Sequence, residues 1–528
     1  MDGRHVEVPD DGASLLEVLR DRLGARTPKD GCSPQGQCGC CTVWVDGAPR
    51  VACVTPARRV AGREVTTLDG LDPALRSRWA DAFSATGASQ CGFCTPGIVM
   101  RLASLGPGRP GSAGPGQAEV ERALLAHLCR CTGWRSIVDA AALASDPCSA
   151  GGTGAGSALE TRDVDAAARR AALEGGVAQA VGPGIALGGG GFADDTAPAG
   201  ALVAVPDGAG GWALGETLTE ARRVAGKVQG RRSPASLRHP LEMPPGDWDL
   251  TLRTTWVEPA YLETDASWCQ PAGVPASPLA NGGAFGGKWE SVAPAVARRL
   301  ADQTGRAVRV LLSREDVVRT GAKRPPLAAG INADGNGRMR AARTPGLADA
   351  VHAVAPRISV EELDVPGPPT SLAIRGAGWA EVTVMLAVLE AMGDGARAGE
   401  DGPVSARAPF GGTAVAVVDG SGVHVRVACG DALDPVVLRS YCTGAAHMAL
   451  GWVRSEGLAV DEEGRPQDLT IRSFGILRAQ DMPAVEVDIA EDPGPPVNGS
   501  DAVFAAVAGA AWLSEGLAPE WPTRRTRS

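Results

Sequence analysis

Eight cysteines in the first quarter of the chain have the type and spacing needed to hold metal. They lie in GCSPQGQCGCCTV with the following VAC, and in QCGFCTPG with HLCRCTGW. The two groups of four are Cys32, Cys38, Cys41 and Cys53, then Cys91, Cys94, Cys129 and Cys131. Cysteine groups this close occur in disulfide frameworks, zinc sites and iron–sulfur clusters.

The spacing of the first group favours a plant-type [2Fe–2S] cluster, which takes three thiolates from a short loop and a fourth from a more distant turn. The loop has the spacing Cys-x5-Cys-x2-Cys, one residue more than the usual first interval, and it contains Gly31, Gly36 and Gly39. Glycine lets the backbone approach an inorganic core and donate N–H groups to sulfur. Zinc sites more often pair two Cys-x2-Cys knuckles, and this group has one such pair. Cys40, inside that pair, is predicted to be a bystander.

The second group lies at the ends of predicted helices. Cys91 and Cys94 precede the apolar stretch IVMRLASL, and Cys129 and Cys131 lie between AEVERALLAHL and WRSIVDAAALA. Helix N-terminal amides favour an anionic cluster electrostatically. Cys-x-Cys is too cramped for a zinc knuckle and suits adjacent corners of a [2Fe–2S] rhomb.

These segments resemble the iron–sulfur subunit of the molybdenum hydroxylase family, which includes xanthine dehydrogenases, aldehyde oxidases and carbon monoxide dehydrogenases. The matching strings are LLEVLRDRLG, KDGCSPQGQCGCCTVWVDG, VTTLDGL, QCGFCTPGIVM and LCRCTGWRSIV. The resemblance implies an α+β multidomain fold, with a β-grasp ferredoxin domain at 1–72 and a helical [2Fe–2S]-binding bundle at 73–145. Gln90 resembles the family's glutamine between cluster and pterin; a polar helix-capping residue is the other interpretation.

The rest of the chain resembles the molybdopterin subunit of the same family. The ordered matches include GGGGFADDTAPAGALVAVP, AYLETDASWC, ANGGAFGGKWE, SLAIRGAGWAE and GDALDPVVLRS. We expect a linker at 146–165, a remnant of the family's hammerhead domain at 166–260, and a reduced α/β molybdopterin-binding domain at 261–528. The family's subunit is much longer than the segment after the linker, so parts of it must be missing.

The second resemblance assigns five residues to the cofactor and substrate region: Phe285, Gly286, Gly287, Arg375 and Gly376. The glycine cluster 282–288 has two other interpretations. It could be a structural turn, or a P-loop in which Trp289 stands where Ser or Thr should bind magnesium.

Family chemistry also needs a general base, a glutamate that takes the proton from Mo–OH before the oxygen attacks an electron-poor carbon. Glu491, in AEDPGPPVNGS, is the carboxylate nearest to the family's Gly-Glu-Pro block, but it is out of register. A solvated surface residue is the other interpretation of Glu491.

The predicted function is an oxidoreductase subunit, a xanthine dehydrogenase-like molybdenum hydroxylase. It would pass electrons from a molybdopterin through two [2Fe–2S] clusters to an FAD-binding subunit on a separate polypeptide, because no Gly-x-Gly-x-x-Gly follows a predicted strand. Its substrate would be a purine, an aldehyde or an N-heterocycle, and the family favours dimers of heteromers. The alternative is a two-cluster electron-transfer protein with a degenerate, cofactor-free molybdenum domain.

Composition bounds the remaining classes. The formal net charge of −10 over 528 residues argues against nucleic acid as a partner. The start, MDGRHVEVPDDG, lacks the apolar core of a signal peptide, and the apolar run 502–513 is too short to span a bilayer. Thiolate ligands fit a reducing cytoplasm, so we expect a cytoplasmic protein with no membrane partner. The other cysteines, Cys148, Cys269, Cys429 and Cys442, are expected to be buried thiols.

Overall fold

The computed structural model describes residues 1–106, 115–145, 162–226, 236–278 and 282–524. These residues form a mixed helix-and-sheet architecture with four sheets. Most of the predicted linker, 146–161, lies outside the described residues, and its last two residues already belong to a helix that begins at Val164. No described helix is long and apolar enough to cross a membrane.

The first segment is a small sheet packed against a short helix. Helix α1 (Leu15–Glu17) is capped by Ser14 and continues as a π turn over Val18–Arg22. Strands β1 (Thr42–Val45), β2 (Ala48–Val51) and β3 (Val65–Thr66) have the order β2-β1-β3, and both pairs are antiparallel. Asp46 and Gly47 form the predicted hairpin turn, both with positive φ, as a two-residue turn matched to the strand twist requires.

Four helices follow, as the apolar periodicity predicts: α2 (Pro73–Thr86), α3 (Thr95–Ala103), α4 (Gln117–Ala123) and α5 (Arg135–Ser145). Helix α2 packs against α5, and α3 packs against β1. The Asp72 side chain caps α2 by accepting from the Leu75 amide, and Gly87 ends the helix in the left-handed conformation. The bundle thus places the second cysteine group beside the ferredoxin-like sheet.

The second part of the chain begins with helices α6 (Val164–Gly175) and α7 (Pro183–Ala186). It continues with β4 (Leu202–Pro206), β5 (Trp212–Gly215), α8 (Leu218–Ala225), β6 (Leu250–Arg253) and β7 (Ala266–Cys269). Helix α9 (Ala293–Thr304), β8 (Val308–Leu311) and α10 (Arg314–Thr320) come next. One sheet has the order β5-β4-β8-β7, with α8 and α9 packed on it.

Two further sheets complete the fold. Strands β9 (Leu327–Ile331), β10 (Gly337–Ala342) and β11 (Ile358–Leu363) join β6 in the order β11-β10-β9-β6, with helices α11 (Leu347–Val354) and α12 (Trp379–Gly393) beside it. Strands β12 (Val404–Arg407), β13 (Thr413–Val418), β14 (Val423–Ala428) and β15 (Val485–Ile489) form the last sheet. Helices α13 (Pro435–Arg454) and α14 (Ser500–Ser514) pack on it. The apolar run 502–513 is buried throughout in α14, as predicted.

Two sheets cross the predicted domain boundary between residues 260 and 261. Strands β4 and β5 precede the boundary and pair, directly or in turn, with β8 and β7 beyond it. Strand β6 also precedes the boundary and pairs with β9 beyond it. Two sheets therefore contain strands from both sides of the predicted boundary. The sequence could not show this, because the long-range pairing of strands cannot be derived from their order in the chain.

The second part packs directly on the loop that carries the second cysteine group. Arg130 makes a buried bidentate ion pair with Glu456, at 2.5 and 2.8 Å, and donates through Nε to the Pro259 carbonyl. A Cβ on Gly444 of α13 would lie 1.8 Å from the Cys131 carbonyl oxygen, so glycine is needed for this approach. The two parts of the chain therefore pack against each other through a shared interface.

This interface predicts the effect of a single substitution. Glu456→Ala should lower the free energy of unfolding by about 3–5 kcal/mol, because the Arg130 guanidinium would stay buried without its carboxylate. Glu462→Ala is the matched control, since Glu462 pairs with Arg238 at the surface, and it should change stability by less than about 1 kcal/mol. Urea unfolding followed by tryptophan fluorescence measures both. Equal effects of the two substitutions would contradict the interpretation.

Candidate functional site

The first cysteine group converges around the β1–β2 hairpin. Cys32, Cys38 and Cys41 precede β1, and Cys53 follows β2, so the hairpin returns the fourth thiol to the loop. Cys32 contacts Cys38 and Cys53, and Cys53 contacts Cys41. All four side chains are buried.

Hydrogen bonds stabilise a thiolate within this group. Thiol donors, first Cys38 and then Cys53, hold the pKa of Cys32 well below its usual range, against the effect of burial. The backbone amides of Gln37 and Gln35 add to this, donating to Cys32 Sγ at 3.4 and 3.3 Å. Amide donors that favour the anion are the environment a thiolate ligand requires.

The second group forms two sulfur pairs. Cys91 Sγ and Cys131 Sγ are 3.6 Å apart, and Cys94 contacts Cys129. The Cys94 thiol lowers the pKa of Cys129 to about 6, burial opposes this shift, and the Thr132 hydroxyl, 3.1 Å away, supports it. Cys94 immediately precedes α3, so the helix N-terminus adds its favourable field.

This arrangement fits [2Fe–2S] clusters better than the other two possibilities. The twelve described cysteines are free, and the 3.6 Å separation of Cys91 and Cys131 exceeds the disulfide bond length of about 2 Å. A zinc site would instead direct all four thiols of a group at a single ion. Thiols grouped in pairs match a rhomb in which each of two irons takes two thiolates, so the residues fit such clusters.

The two groups are in direct backbone contact. Leu128, beside Cys129, donates its amide N–H to the Cys38 carbonyl at 3.0 Å. Cys40, fully buried, directs its thiol at the same carbonyl at 3.8 Å. A Cβ on Gly97 would lie 2.2 Å from the Gly39 carbonyl oxygen, which shows how closely α3 approaches the first loop. The bystander predicted from spacing lies between the two groups.

Gln90 lies between the second group and α13. Its Nε2 donates to the Cys131 carbonyl and to Ser440 Oγ, both at 3.0 Å. Its Oε1 is buried and has no hydrogen-bond partner among the described residues. These bonds connect the cysteine loop with the second part of the chain, whereas a helix cap would bond to the amides of α3.

The five residues assigned to the molybdenum region come together. The Arg375 amide donates to the Phe285 carbonyl at 3.0 Å, and the Arg375 guanidinium lies 4.4 Å from the centre of the Phe285 ring. A Cβ on Gly286 would lie 1.6 Å from the Ala373 carbonyl oxygen, and one on Gly376 would lie 2.9 Å from Ala380 Cβ. Protein atoms occupy the space beside these glycines, which supports the structural-turn interpretation.

The lysine of the glycine cluster is engaged inside the protein. Lys288 is buried, makes an ion pair with Glu263, and lies 5.1 Å from the centre of the Tyr261 ring. A P-loop lysine must instead reach nucleotide phosphates. The structure therefore does not support a P-loop.

Phe285 and Arg375 line a small cavity. Arg375 donates through Nε to Asp501 at 2.8 Å and through Nη2 to Ser500, and its buried Nη1 has no partner in the described ranges. Glu258 also lines the cavity, as a buried carboxylate 2.9 Å from the Lys323 ammonium. Sequence reasoning missed Glu258, because a lone glutamate in WVEPAY carries no spacing signal.

The structure does not bring Glu491 to this cavity. Glu491 is exposed, follows β15 and is absent from the residues that line the cavity. The carboxylates at the cavity wall are Glu258 and Glu456, and Glu456 already pairs with Arg130. Exposure at the end of a strand favours the interpretation of Glu491 as a solvated residue.

Gln90 lines a second small cavity, together with Ser440, Tyr441 and Gln179. The Tyr441 ring packs edge to face on Phe285, with ring centres 6.4 Å apart. This aromatic pair lies between the two cavities, with one ring in the wall of each. A bound cofactor needs one continuous pocket of several hundred Å³ (about 300–1,000). The residues present do not fit a molybdenum-pterin that touches both Gln90 and the glycine loop.

Comparison with known proteins identifies the family. A model of a [2Fe–2S] binding domain matches residues 67–142. The xanthine dehydrogenase iron-sulfur-binding subunit of Escherichia coli O157:H7 is 39% identical over 129 residues, which are 24% of this chain and 79% of that subunit. The chain belongs to the xanthine dehydrogenase and aldehyde oxidoreductase family of molybdenum hydroxylases. The aldehyde oxidoreductase of Megalodesulfovibrio gigas is 40% identical over 132 residues. The matched residues are 24% of this chain and only 14% of that relative.

The likeness in fold covers nearly the whole chain. The solved aldehyde oxidoreductase from Desulfovibrio gigas superposes with a TM-score of 0.68 at 14% identity, covering 97% of this chain and 96% of that one. This likeness concerns the fold alone. It confirms the predicted fold class: α+β, with ferredoxin-like, helical [2Fe–2S] and molybdenum-hydroxylase-like regions.

The ligand assignment of the first group can be tested by one substitution and its neighbour. Cys41→Ser should remove one of two electron paramagnetic resonance signals of the reduced protein and about half of its iron, because one of four thiolates is lost. Cys40→Ser should leave both signals, since Cys38 and Cys41 form the Cys-x2-Cys pair and Cys40, whose thiol contacts Cys38, is predicted not to be a ligand. The reverse pattern would show that the ligand register is shifted by one residue.

The second group can be tested in the same way. Cys129→Ser should remove only the other signal, because the Cys129 thiol contacts Cys94 of its own group. Cys269→Ser is the control, a buried thiol in β7 away from both groups, and it should leave iron content unchanged. Survival of both signals in Cys129→Ser would mean that the second group is misassigned.

Proposed function

We propose that this chain relays electrons through two [2Fe–2S] clusters as a component of a molybdenum hydroxylase-type oxidoreductase. Its relatives are oxidoreductases of this family. The proposed ligands are Cys32, Cys38, Cys41 and Cys53 for one cluster, and Cys91, Cys94, Cys129 and Cys131 for the other.

The contact between the two cysteine groups carries the proposal. Electron tunnelling weakens steeply with distance and is favoured along bonded and hydrogen-bonded atoms. The Leu128 N–H joins the backbone of one ligand loop to the Cys38 carbonyl of the other at 3.0 Å. Buried surroundings and amide donors also set the reduction potential of such clusters. The geometry therefore supports direct transfer between clusters without a further group between them.

We propose that the electrons leave for an FAD-binding subunit on a separate polypeptide. In support, the E. coli relative is named as a separate iron-sulfur-binding subunit. The first cysteine group also adjoins a cavity lined by Cys53, Ser33 and Arg222, which offers an approach from outside the ligand loop. A dimer of heteromers and a cytoplasmic location remain predictions.

The two versions of this function differ in whether the chain itself holds a molybdenum-pterin that supplies the electrons. A molybdenum-pterin would let the chain hydroxylate a purine, an aldehyde or an N-heterocycle with oxygen from water. The divided cavities and the exposed position of Glu491 favour the other version. We therefore propose a two-cluster electron-transfer protein whose molybdenum-hydroxylase-like region holds no cofactor.

Metal analysis and a redox titration test this function. Anaerobically purified protein should contain about four irons and about four acid-labile sulfides per chain, and it should take up about two electrons from dithionite. The Cys129→Ser variant should take up about half as many. Colourless protein from iron-fed, anaerobically grown cells would contradict the proposal.

A further inference from the structure

We infer that Tyr441 closes the pterin-binding groove of this chain and is the residue that keeps a molybdenum-pterin out. The inference deepens the proposed function, on which it rests in taking the second part of the chain as cofactor-free. It concerns one wall, made by Tyr441 and Phe285, between the cavity lined by Gln90 and the cavity lined by Arg375.

Tyr441 is held in the wall by packing rather than by polar bonds. It lies on α13, is 2% exposed, and its hydroxyl has no hydrogen-bond partner in the part of the chain that the structure describes. Burial raises the pKa of Tyr441, and the nearby Cys131 and Cys91 add to the shift, so the phenol stays neutral. The neutral ring, in edge-to-face contact with Phe285, therefore blocks the passage between the two cavities.

The other half of the wall is fixed as well. Phe285 has φ of +42°, in the left-handed region that side chains other than glycine's seldom adopt. Its carbonyl accepts from the Arg375 amide, and its ring carries the Arg375 guanidinium. Arg375 is in turn bonded to Asp501 and Ser500 at the start of α14. Rotating Phe285 out of the wall would break this chain of contacts.

Unpartnered polar atoms on both sides show what the wall separates. Gln90 Oε1 and Gln179 Nε2 belong to residues that line the cluster-side cavity, and Arg375 Nη1 belongs to the other; within the described residues none has a hydrogen-bond partner. One extended, polar, anionic ligand could satisfy both sets if the cavities were joined. With the wall in place, each cavity admits only small molecules.

The test compares Tyr441→Ala with Tyr441→Phe in cells that make molybdopterin. Purified protein is assayed for molybdenum, for pterin released as its fluorescent oxidation product, and for iron. Wild type and Tyr441→Phe, which keeps the ring, should contain iron but no stoichiometric molybdenum or pterin. Tyr441→Ala, which joins the cavities, should raise pterin at least about tenfold with iron unchanged.

Each outcome is decisive. Stoichiometric molybdenum in the wild type would overturn the inference, and so would a Tyr441→Ala protein that keeps its iron but gains no pterin. Tyr441→Ser serves as the second variant if Tyr441→Ala loses iron through misfolding. Loss of iron from the wild type would instead count against the proposed relay, so failure of the relay and failure of the wall are distinguishable.

Discussion

The structure depends on keeping several thiolates together in a buried place. Charges that are taken out of water must be balanced by partners or by hydrogen bonds. Here backbone amides supply much of the balance: Gln35 and Gln37 donate to Cys32, and the Cys53 amide donates to Cys41. Such donors are available only where the chain wraps tightly, which explains why the first loop is rich in glycine. The loop and hairpin are therefore shaped by amide donors to sulfur as well as by the apolar core, to which Cys32, Cys38, Cys41 and Cys53 themselves belong.

The same constraint gives the molybdenum-hydroxylase-like region a role that needs no cofactor of its own. The second cysteine group lies in a loop whose outer surface is covered by α13. Gly444 packs on the Cys131 carbonyl, Ser440 bonds to Gln90, and Glu456 neutralises the buried Arg130. Without this cover the loop would be open to water, and a cluster held there would be accessible to solvent and oxidants. The second region thus forms the wall of the proposed second cluster.

The sequence predicts the first region much better than the second. Cysteine spacing and the Asp46–Gly47 turn are local signals of the first region, and the structure brings the cysteines together and forms the turn. The apolar run of α14 is a local signal in the second region, and it forms a buried helix. The pairing of β6 with β9 across the predicted domain boundary is not local, and neither is the approach of Tyr441 to Phe285. The sequence indicates Glu491 as the candidate general base from its position along the chain alone. Only folding decides which carboxylates face a cavity. Glu258 does so from a segment that carries no motif.

Arg375 shows that a residue of a site-like motif can serve the fold. Its position resembles a substrate-pocket block, yet its bonds run to Asp501, Ser500 and the Phe285 ring. Removing it would leave Asp501 without its partner, unseat the start of α14 and free Phe285 from its left-handed conformation. A side chain that supports three elements is costly to replace, whether or not a ligand meets its remaining N–H. The presence of Arg375 is therefore weak support for hydroxylase chemistry. The position of Tyr441 bears directly on whether a molybdenum-pterin fits.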